Sequence, residues 1–385
     1  MAYYTSPNGG SLRIVDDPES NYAIIRYTRG LSDFTMKHVP NLRSVVWNKV
    51  TNLPVCVAPP MAQDTPVDGK YVMREFVEGT MINAWRTENS VQIATRTSIG
   101  GRGKFYSSRS FADLFNEALG GKAEEFLSSV LQEGEFVCMV LQHREHKIVG
   151  PVPYNRIYVT HFGRVNGTNG TTVTMTTKAD EMPQRLAVHL PQVYGEVVVG
   201  GEVVVGGEIE KNRDGQQYSW QGGMNKEFQK IRDGQQYSWQ GVMFQHTTLP
   251  CRTSLKNPAY VLVRSLRGSE ASPMERFLRL RSAGQIKQYL NYYREESNQL
   301  WEFEQALRKR TEELYVAYNE MNKRKVKGMR DFPYCLRPHI YALHGEYLNR
   351  VKSNITTTKS VLKETVVAYV NKLAVPDVVK LMGPN

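Results

Sequence analysis

Alternating apolar and polar positions predict strands through much of the first two thirds of the chain. From Arg43 onward, short apolar runs are separated by turn-forming residues, as in half-buried strands. The runs at 44–47 and Leu53–Val57 flank Thr51-Asn52 and predict a β-hairpin. Residues 1–40 carry mixed signals and give no assignment. Further strands are predicted at 71–76, 80–85, Val91–Thr95, 136–141, 147–149 and 157–162.

One helix is predicted within this strand-rich part. Ser110 suits an N-cap, and Gly120-Gly121 suits the helix end. Between them, Phe111, Leu114, Phe115 and Ala118 would form one apolar face.

Helical spacing dominates after Ser272-Pro273. A final amphipathic helix is predicted at 360–373. The sequence therefore predicts an α+β domain over 1–272 and an all-α domain over 273–385. The longest stripe spaced by three and four residues consists of Leu300, Phe303, Leu307, Leu314, Ala317 and Met321, which favours a core-facing helix surface.

Two segments occur twice in identical form. EVVVGG stands at 196–201 and 202–207, and RDGQQYSWQG stands at 213–222 and 232–241. Identical neighbouring copies indicate local duplication rather than a solenoid, which needs several supersecondary repeats. Only one copy of each can occupy a given place in a sheet, so the other is expected to loop out or to extend a hairpin.

Composition is that of an ordinary globular protein, with 41% hydrophobic and 23% charged residues among 385. The sequence contains neither a run of about 18 apolar residues nor a basic-then-apolar leader pattern, so no membrane association is expected. The widely spaced cysteines fit neither a disulfide framework nor a zinc site and predict reduced thiols in a cytoplasmic compartment. They are Cys56, Cys138, Cys251 and Cys335.

The net charge of +11 is concentrated towards the end of the chain. From Pro273 to Asn385 there are 20 Lys/Arg and 12 Asp/Glu residues. A basic helical domain favours a polyanionic partner, usually nucleic acid, although a solvated lysine-rich surface explains the charge equally well.

Candidate chemistry comes from several segments in a fixed order. The central one is REFVEGTMINAW at 74–85, a predicted strand–turn–strand with a carboxylate–glycine turn followed by a small hydroxyl residue. The others are RSVVWNKVTNLPVCVAPPM (43–61), QIATRTSIGG (92–101), FVCMVLQHREHKIV (136–149), WQGVMF (239–244) and RTSLKNPAYVLVR (252–264).

These collinear segments resemble the motifs of phage-type RNA ligases, members of the nucleotidyltransferase superfamily. The later segments YLNYYREE and LRPHIYALHGEYL resemble the helices of RNA-ligase-like proteins encoded by large DNA viruses. The resemblance covers roughly residues 40 to 350. It implies an ATP-grasp-like ligase domain built on antiparallel sheet, followed by a helical domain.

Function follows from the same resemblance. In the family, a lysine is adenylated and the AMP is then passed to a nucleic-acid 5′-phosphate. The implied cofactors are ATP and Mg²⁺, and the implied partner is RNA rather than DNA. Host cytoplasm or a virion is the implied location. The residues carried over as nucleotide-binding candidates are Arg43, Glu78, Gly79, Arg96, Ser98, Gln142 and Lys256.

The chain departs from the ligase pattern at its reactive positions. Phe76 stands where the family has its nucleophilic lysine, and phenylalanine cannot form a phosphoramidate. Gln142 and Gln240, or Gln221 in the other repeat copy, stand at acidic positions, and amides bind divalent cations poorly. Ala58 replaces the arginine of the upstream R-P pattern. No catalytic residue and no metal ligand is therefore assigned.

Two function hypotheses follow. A ligase-like enzyme would need Lys70 or Lys49 as a substitute nucleophile. A catalytically inactive protein on the same fold would serve as a nucleic-acid-binding accessory or as a structural component of a virus particle.

Several residues also have ordinary structural interpretations. Glu78-Gly79 would form a hairpin turn, the glycine-rich 100–103 segment a surface loop rather than a phosphate cradle, and Arg252 and Lys256 a strand surface. His143 and His146 lack predicted carboxylate partners and are expected on the surface.

Overall fold

The computed structural model of the chain describes residues 10–64, 66–88, 90–166, 172–186, 189–199, 221–270, 272–352 and 361–383. The chain forms two compact units, the first ending at Leu262 and the second beginning at Val263. Helix α4 (Pro258–Arg267) runs across this division. Among the described residues, all paired strands are antiparallel.

The first unit contains three sheets. They have the orders β1-β2-β3-β4, β10-β9-β8-β6-β7 and β11-β5-β12-β13. The strands are β1 (Gly10–Asp16), β2 (Tyr22–Ser32), β3 (Val45–Asn48), β4 (Leu53–Val57), β5 (Gly69–Glu75), β6 (Thr80–Arg86), β7 (Val91–Thr95), β8 (Glu135–Gln142), β9 (Arg156–Asn166), β10 (Thr172–Thr176), β11 (Val193–Val199), β12 (Gly241–His246) and β13 (Arg252–Lys256).

The β3–β4 hairpin confirms the prediction for 44–57, whereas β1 and β2 were not predicted. In β2, the consecutive residues Ala23, Ile24 and Ile25 are all buried, so this strand lacks the alternation that marks a half-buried one. Ile24 and Val46 pack with Phe136 of β8, which places the first sheet against the second.

Helices α1 (Phe111–Leu119) and α2 (Ala123–Ser128) cover the other face of the second sheet. Ser110 accepts a hydrogen bond from the Asp113 amide and Gly120 is left-handed with a φ of 76°, so the predicted ends of α1 are confirmed.

The third sheet packs one face against α3 (Gln221–Arg232). The apolar side chains of Tyr71, Met73 and Phe244 lie on that face with Phe228 of the helix. Because strand residues alternate between faces, the residues between them point to the opposite side. That opposite side carries the polar residues described below.

The predicted hairpin turn at Glu78-Gly79 is wrong. Strands β5 and β6 belong to different sheets, and the segment between them carries the chain from one sheet to the next. Gly79 has a φ of 151°, and a Cβ there would lie 2.4 Å from the carbonyl oxygen of Leu141 in β8. Only glycine permits this close approach.

The strand predicted at 147–149 is also absent from the described structure. Instead, the amides of Val149 and Gly150 donate to the Glu78 carboxylate at 3.1 and 3.2 Å. This loop therefore bonds to a side chain rather than to a neighbouring strand.

The duplicated segments are described only in part. The first EVVVGG copy supplies part of β11, and the second copy, 202–207, lies outside the described residues. The second RDGQQYSWQG copy runs from the end of α3 into β12. Residues 213–220 of the first copy lie outside the described residues.

The second unit is helical among its described residues. In α7 the buried Leu300, Leu307, Leu314 and Ala317 confirm the predicted stripe. The helix predicted at 360–373 is α9, and α10 follows it as a separate helix. The helices are α5 (Pro273–Ser282), α6 (Ile286–Leu290), α7 (Ser297–Tyr318), α8 (Arg337–Lys352), α9 (Lys363–Lys372) and α10 (Val375–Met382).

The fold class is thus α+β, with antiparallel sheets and a helical C-terminal region. Within the described ranges, every helix is too short or too polar to cross a membrane.

Candidate functional site

A cavity of about 340 Å³ lies in the first unit, where side chains of all three sheets converge. Its lining residues are Tyr27, Arg29, Arg43, Pro59, Met61, Ala62, Asp64, Arg74, Glu75, Phe76, Val77, Gly79, Met81, Arg96, Val140, Thr160, His161, Thr177, Pro191, Gln240, Met243, Gln245, Arg252, Ser254 and Lys256.

The third sheet supplies one wall by strand alternation. Arg74 of β5 pairs with Met243 of β12, which pairs with Ser254 of β13. Gln245 and Arg252 form the next pair along the sheet. These residues alternate with the apolar ones that pack against α3, so they line the cavity on the polar face.

The wall is strongly cationic. Arg29, Arg43, Arg74, Arg96, Arg252 and Lys256 line it, against only two carboxylates among the described lining residues, those of Asp64 and Glu75. Asp64 is exposed at the margin. Within the described part of the chain, none of the six cations has a carboxylate oxygen within 4.0 Å.

Positively charged arginine side chains of the cavity lining lie close enough to affect one another. Burial and the neighbouring charges of Arg96 and Arg29 lower the pKa of Arg43. Burial and the charge of Arg43 also hold the pKa of Arg252 well below its usual range. Clustered cations without counter-charges destabilise a folded protein unless an anion compensates them.

Arg252 is fixed by main-chain carbonyl groups. Its Nε donates to the Pro60 oxygen at 2.6 Å, and a terminal nitrogen donates to the Pro59 oxygen at 3.4 Å. The side chain is only 7% exposed, so the expectation of a strand-surface residue is wrong for Arg252. Lys256, at the other end of β13, is exposed as expected.

Arg96 is oriented by an aromatic ring. It follows β7 directly, and its guanidinium carbon lies 5.3 Å from the centre of the buried Tyr27 ring. A cation over an aromatic face is attracted by the ring quadrupole. This contact holds a guanidinium at the cavity without neutralising its charge.

His161 lies in the cavity wall on β9, buried among the arginines. Burial, followed by the charges of Arg252, Arg43 and Arg74, lowers the pKa of His161 well below 6.5. Within the described residues, neither ring nitrogen makes a hydrogen bond of ordinary geometry, although the side chain of Gln245 is nearby. The imidazole is therefore neutral at physiological pH and retains hydrogen-bonding capacity.

Further donors in the wall lack partners. The Nε atoms of Arg74 and Arg96 are inaccessible to solvent and make no hydrogen bond within the described structure. Buried polar groups are ordinarily satisfied, so several unsatisfied donors at one cavity favour a ligand that accepts hydrogen bonds.

The structure brings together four of the seven predicted nucleotide-binding residues. Arg43, Gly79, Arg96 and Lys256 line the cavity. Phe76 lines it too, at the position where the ligase resemblance would place lysine.

The other three predicted residues lie outside the lining. Glu78 accepts from loop amides, and the Gln142 amide donates to the Glu78 carbonyl oxygen at 2.8 Å. Ser98 donates to the Ile99 carbonyl oxygen at 3.2 Å. All three stabilise the segments that border the cavity.

Of the two repeat copies, the second supplies the cavity residue. Gln240 lines the cavity immediately before β12, whereas Gln221 begins α3. The adjacent Gly241 has a φ of 141°, and a Cβ there would lie 2.1 Å from the Leu255 carbonyl oxygen. Glycine is therefore required at position 241, and this constrains the position of the neighbouring Gln240 in the cavity wall.

The substitute lysines do not reach this cavity. Lys70 lies four residues before Arg74 on β5, about 13 Å along the strand, and pairs with Glu196 at 2.5 Å. Lys49 pairs with Asp16 at 3.0 Å on the β3–β4 hairpin. Lys256 is the lysine among the described lining residues.

Lys256 and Phe76 share one cross-strand row. Gly241 lies between them, paired with Lys256 and accepting from the Phe76 amide at 2.9 Å. Two strand spacings put the Cα atoms of Phe76 and Lys256 roughly 10 Å apart. Lys256 is therefore the cavity lysine nearest in register to the position of Phe76.

The lining residues do not fit a magnesium site. Hard divalent cations prefer clustered carboxylate and carbonyl oxygens, whereas guanidinium groups repel them. Asp64 and Glu75 are outnumbered by cations, and burial raises the pKa of Glu75, which favours its neutral form. No group of three potential metal ligands occurs in the residues that the structure describes.

The expectation that His143 and His146 are surface residues is wrong. Both are buried, with exposures of 1% and 3%. His143 lies 3.3 Å from a Glu117 carboxylate oxygen, and His146 lies 2.8 Å from the Thr80 hydroxyl. Neither lines the cavity, so these contacts join the loop after β8 to its neighbours.

Sequence reasoning missed Arg29, Arg74, His161 and Glu75 as cavity residues. A weak signal existed for Arg74, since it is a charged residue in an otherwise apolar strand pattern. The others meet only after folding, because β2, β5, β9 and β13 are far apart in the chain. No protein-family model matches this chain, and no curated protein sequence matches it.

Proposed function

We propose that the chain is an RNA-ligase-like protein that binds a nucleotide non-covalently through its phosphates. The observation that carries the proposal is the cavity wall of five arginines and Lys256 with few opposing carboxylates. Guanidinium groups bind phosphate oxygens through paired, charge-assisted hydrogen bonds. The collinear ligase-like segments supply the reason for naming a nucleotide as the phosphate-bearing ligand.

Each element of the wall has a distinct part in this proposal. Arg74 and Arg252 would hold phosphate from the third sheet, Arg43 from the segment before β3, and Arg96 from the end of β7. His161, neutral and buried, would add a hydrogen bond. Phe76 excludes a lysine–AMP bond at its own position, so binding rather than adenylation is the proposed activity.

A second candidate function is ligase chemistry through another lysine. The observation favouring it is the shared row of Phe76 and Lys256. Adenylation there would form a bond from Lys256 Nζ to the α-phosphorus of ATP and release pyrophosphate, with loss of a proton from the amine. Lys256 is exposed, and an exposed ammonium is a poor nucleophile at neutral pH.

Labelled ATP separates the two candidates. The protein is incubated with ATP labelled in its α-phosphate, then examined by equilibrium binding and on a denaturing gel. Non-covalent binding predicts saturable binding with no label that stays on the protein in the denaturing gel. Arg96→Gln is expected to weaken that binding about 10- to 100-fold, the loss of one charge-assisted hydrogen bond. Lys70→Gln, outside the cavity, is the matched control and should bind as the wild type does.

Covalent label that persists on the denaturing gel and disappears in Lys256→Ala would replace the binding proposal with the ligase one. No saturable binding under any condition would overturn both.

We also propose that the helical unit contacts nucleic acid, RNA rather than DNA, through a basic cluster after α7. Lys323, Arg324 and Lys325 are exposed and form none of the ion pairs of the described residues. Many other cations of this unit are paired, as Arg281 is with Glu304. Three adjacent free cations support a phosphate-backbone contact.

A further inference from the structure

We infer that the cavity binds a polyphosphate without a divalent cation, the arginines taking the place of the metal. This inference rests on the proposed function and specifies the state of its ligand: free ATP or another uncomplexed polyphosphate, rather than the magnesium complex. It departs from what the ligase resemblance implies.

The first argument is the chemistry of the donors. Magnesium in a phosphate site is usually held through one or two carboxylates, and those of the lining, Asp64 and Glu75, are outnumbered by six cations. Gln240 occupies the cavity wall where the ligase resemblance would place a metal-associated glutamate, and its amide is a weak metal ligand. Gln142 lies outside the lining and is bonded to the Glu78 carbonyl oxygen.

The second argument is electrostatic. The positive charges of Arg96 and Arg29 act on Arg43, and the positive charge of Arg43 acts on Arg252. A metal ion held among them would add positive charge to an existing excess. An uncomplexed polyphosphate carries more negative charge than its magnesium complex and therefore compensates the cluster more completely.

The third argument is the geometry of the available hydrogen bonds. Among the described residues, the guanidinium groups of Arg74 and Arg96 form no hydrogen bond, and the neutral imidazole of His161 offers one N–H donor. They belong to three different strands or their ends, and they surround one cavity. Several donors converging from separate elements match a ligand with several acceptor oxygens, as a chain of phosphates provides.

The cationic surface also continues beyond the cavity. Arg26 of β2 stands directly opposite Arg13 of β1. Burial lowers the pKa of Arg26, and the charges of Arg96 and Arg13 lower it further. Like charges opposite each other in a sheet are destabilising. The excess of positive charge thus extends from Arg96 to Arg26 and Arg13 of the first sheet.

The test is a calorimetric titration of the full chain with ATP, once in excess EDTA and once in excess Mg²⁺. We expect binding several-fold tighter in EDTA than in Mg²⁺, because the uncomplexed form is the proposed ligand, and equal affinity in the two solutions would overturn this inference. Inorganic tripolyphosphate should compete in EDTA. Titration with 5′-triphosphorylated RNA distinguishes a free nucleotide from a nucleic-acid end as the source of the phosphates.

Variants tie the result to the cavity. Arg74→Gln should weaken binding in EDTA about 10- to 100-fold. Arg74→Lys should weaken it less, because lysine keeps the charge but loses the paired N–H donors of the guanidinium group. Arg96→Gln provides the same test from another sheet should Arg74→Gln fail to fold. Lys70→Gln is the control on the same strand.

The outcomes are separable. ATP binding only in Mg²⁺ would overturn this inference and leave the proposed nucleotide binding intact. Binding in neither solution would overturn the proposed function itself. Binding in EDTA that Arg74→Gln and Arg96→Gln leave unchanged would place the site elsewhere and also overturn the inference.

Discussion

Arg74 illustrates how one residue joins folding to the proposed function. Its strand neighbours Tyr71 and Met73 are buried against α3, so alternation turns Arg74 to the cavity. Burial lowers the pKa of Arg74, which means that the folded protein holds this charge at a cost. Residues suited to a ligand commonly destabilise the free protein in this way.

Neutralising Arg74 should therefore stabilise the ligand-free protein. Arg74→Gln is expected to raise the free energy of unfolding by about 0.5–2 kcal/mol, measured by urea denaturation without phosphate. Lys70→Gln removes an exposed ion pair and should change it by less than about 1 kcal/mol. A clear loss of stability in Arg74→Gln would show that its charge is compensated in the free protein.

His161 predicts a pH dependence of stability. Its folded pKa is well below that of an unfolded histidine, about 6.5, so only the unfolded state gains this proton as the pH falls from about 6.5 to 5. Stability should fall over that window, by at most about 1.4 kcal/mol per pH unit from this residue.

Denaturant titrations of His161→Gln across this pH range test the assignment. The variant should lose less stability on acidification than the wild type does. His189→Gln, which changes an exposed histidine, should retain the wild-type slope. Identical slopes in all three proteins would mean that His161 titrates normally.

At the scale of elements, local sequence patterns gave correct predictions for several helices and one hairpin. The pairing of strands that are far apart in the chain was not predicted. The β3–β4 hairpin, α1 with its Ser110 cap, and the stripe of α7 depend on neighbouring residues and were recovered. The placement of β5 and β6 in separate sheets depends on strands far apart in sequence. The sequence therefore indicated these local elements but predicted a hairpin where the chain changes sheets.

The close approach of the paired strands β12 and β13 at Gly241 yields a test of the cavity wall. A methyl group at position 241 would overlap the Leu255 carbonyl, so Gly241→Ala should lower the free energy of unfolding by more than about 2 kcal/mol. Gly345→Ala, in α8 with no neighbour within 4 Å of the added carbon, should raise it by about 0.5–1 kcal/mol. Thermal denaturation measures the stability of both variants. Equally small changes in the two would contradict the close approach of β12 and β13 at Gly241.

At the scale of the whole molecule, counting charged residues along the sequence and examining their ion pairs in the structure give different pictures of the positive charge. Counting placed most of the positive excess in the last third of the chain. The structure shows ion pairs there, including the buried Arg276–Glu296 pair at 3.0 Å, whereas none of the six cavity cations has a carboxylate partner among the described residues. Counting charges along the chain could not show this cationic cavity, because its arginines come from five separate segments.

Salt dependence tests the proposed RNA contact of the helical unit. Between about 50 and 200 mM salt, RNA affinity should fall steeply, because each phosphate contact releases counterions. Replacing Lys323, Arg324 and Lys325 with Gln should lower both the affinity and the salt slope. Substitution of Lys380, which pairs with Asp377 at 3.0 Å, is the control. Weak, salt-independent binding would contradict the contact.

The most direct test of non-covalent phosphate binding is a crystal structure of the wild-type chain grown with ATP in EDTA. The account predicts phosphate density within hydrogen-bonding distance of Arg74, Arg96 and Arg252, with no bond to any lysine. ATP bound elsewhere while this cavity stays empty, or AMP attached to Lys256, would contradict it.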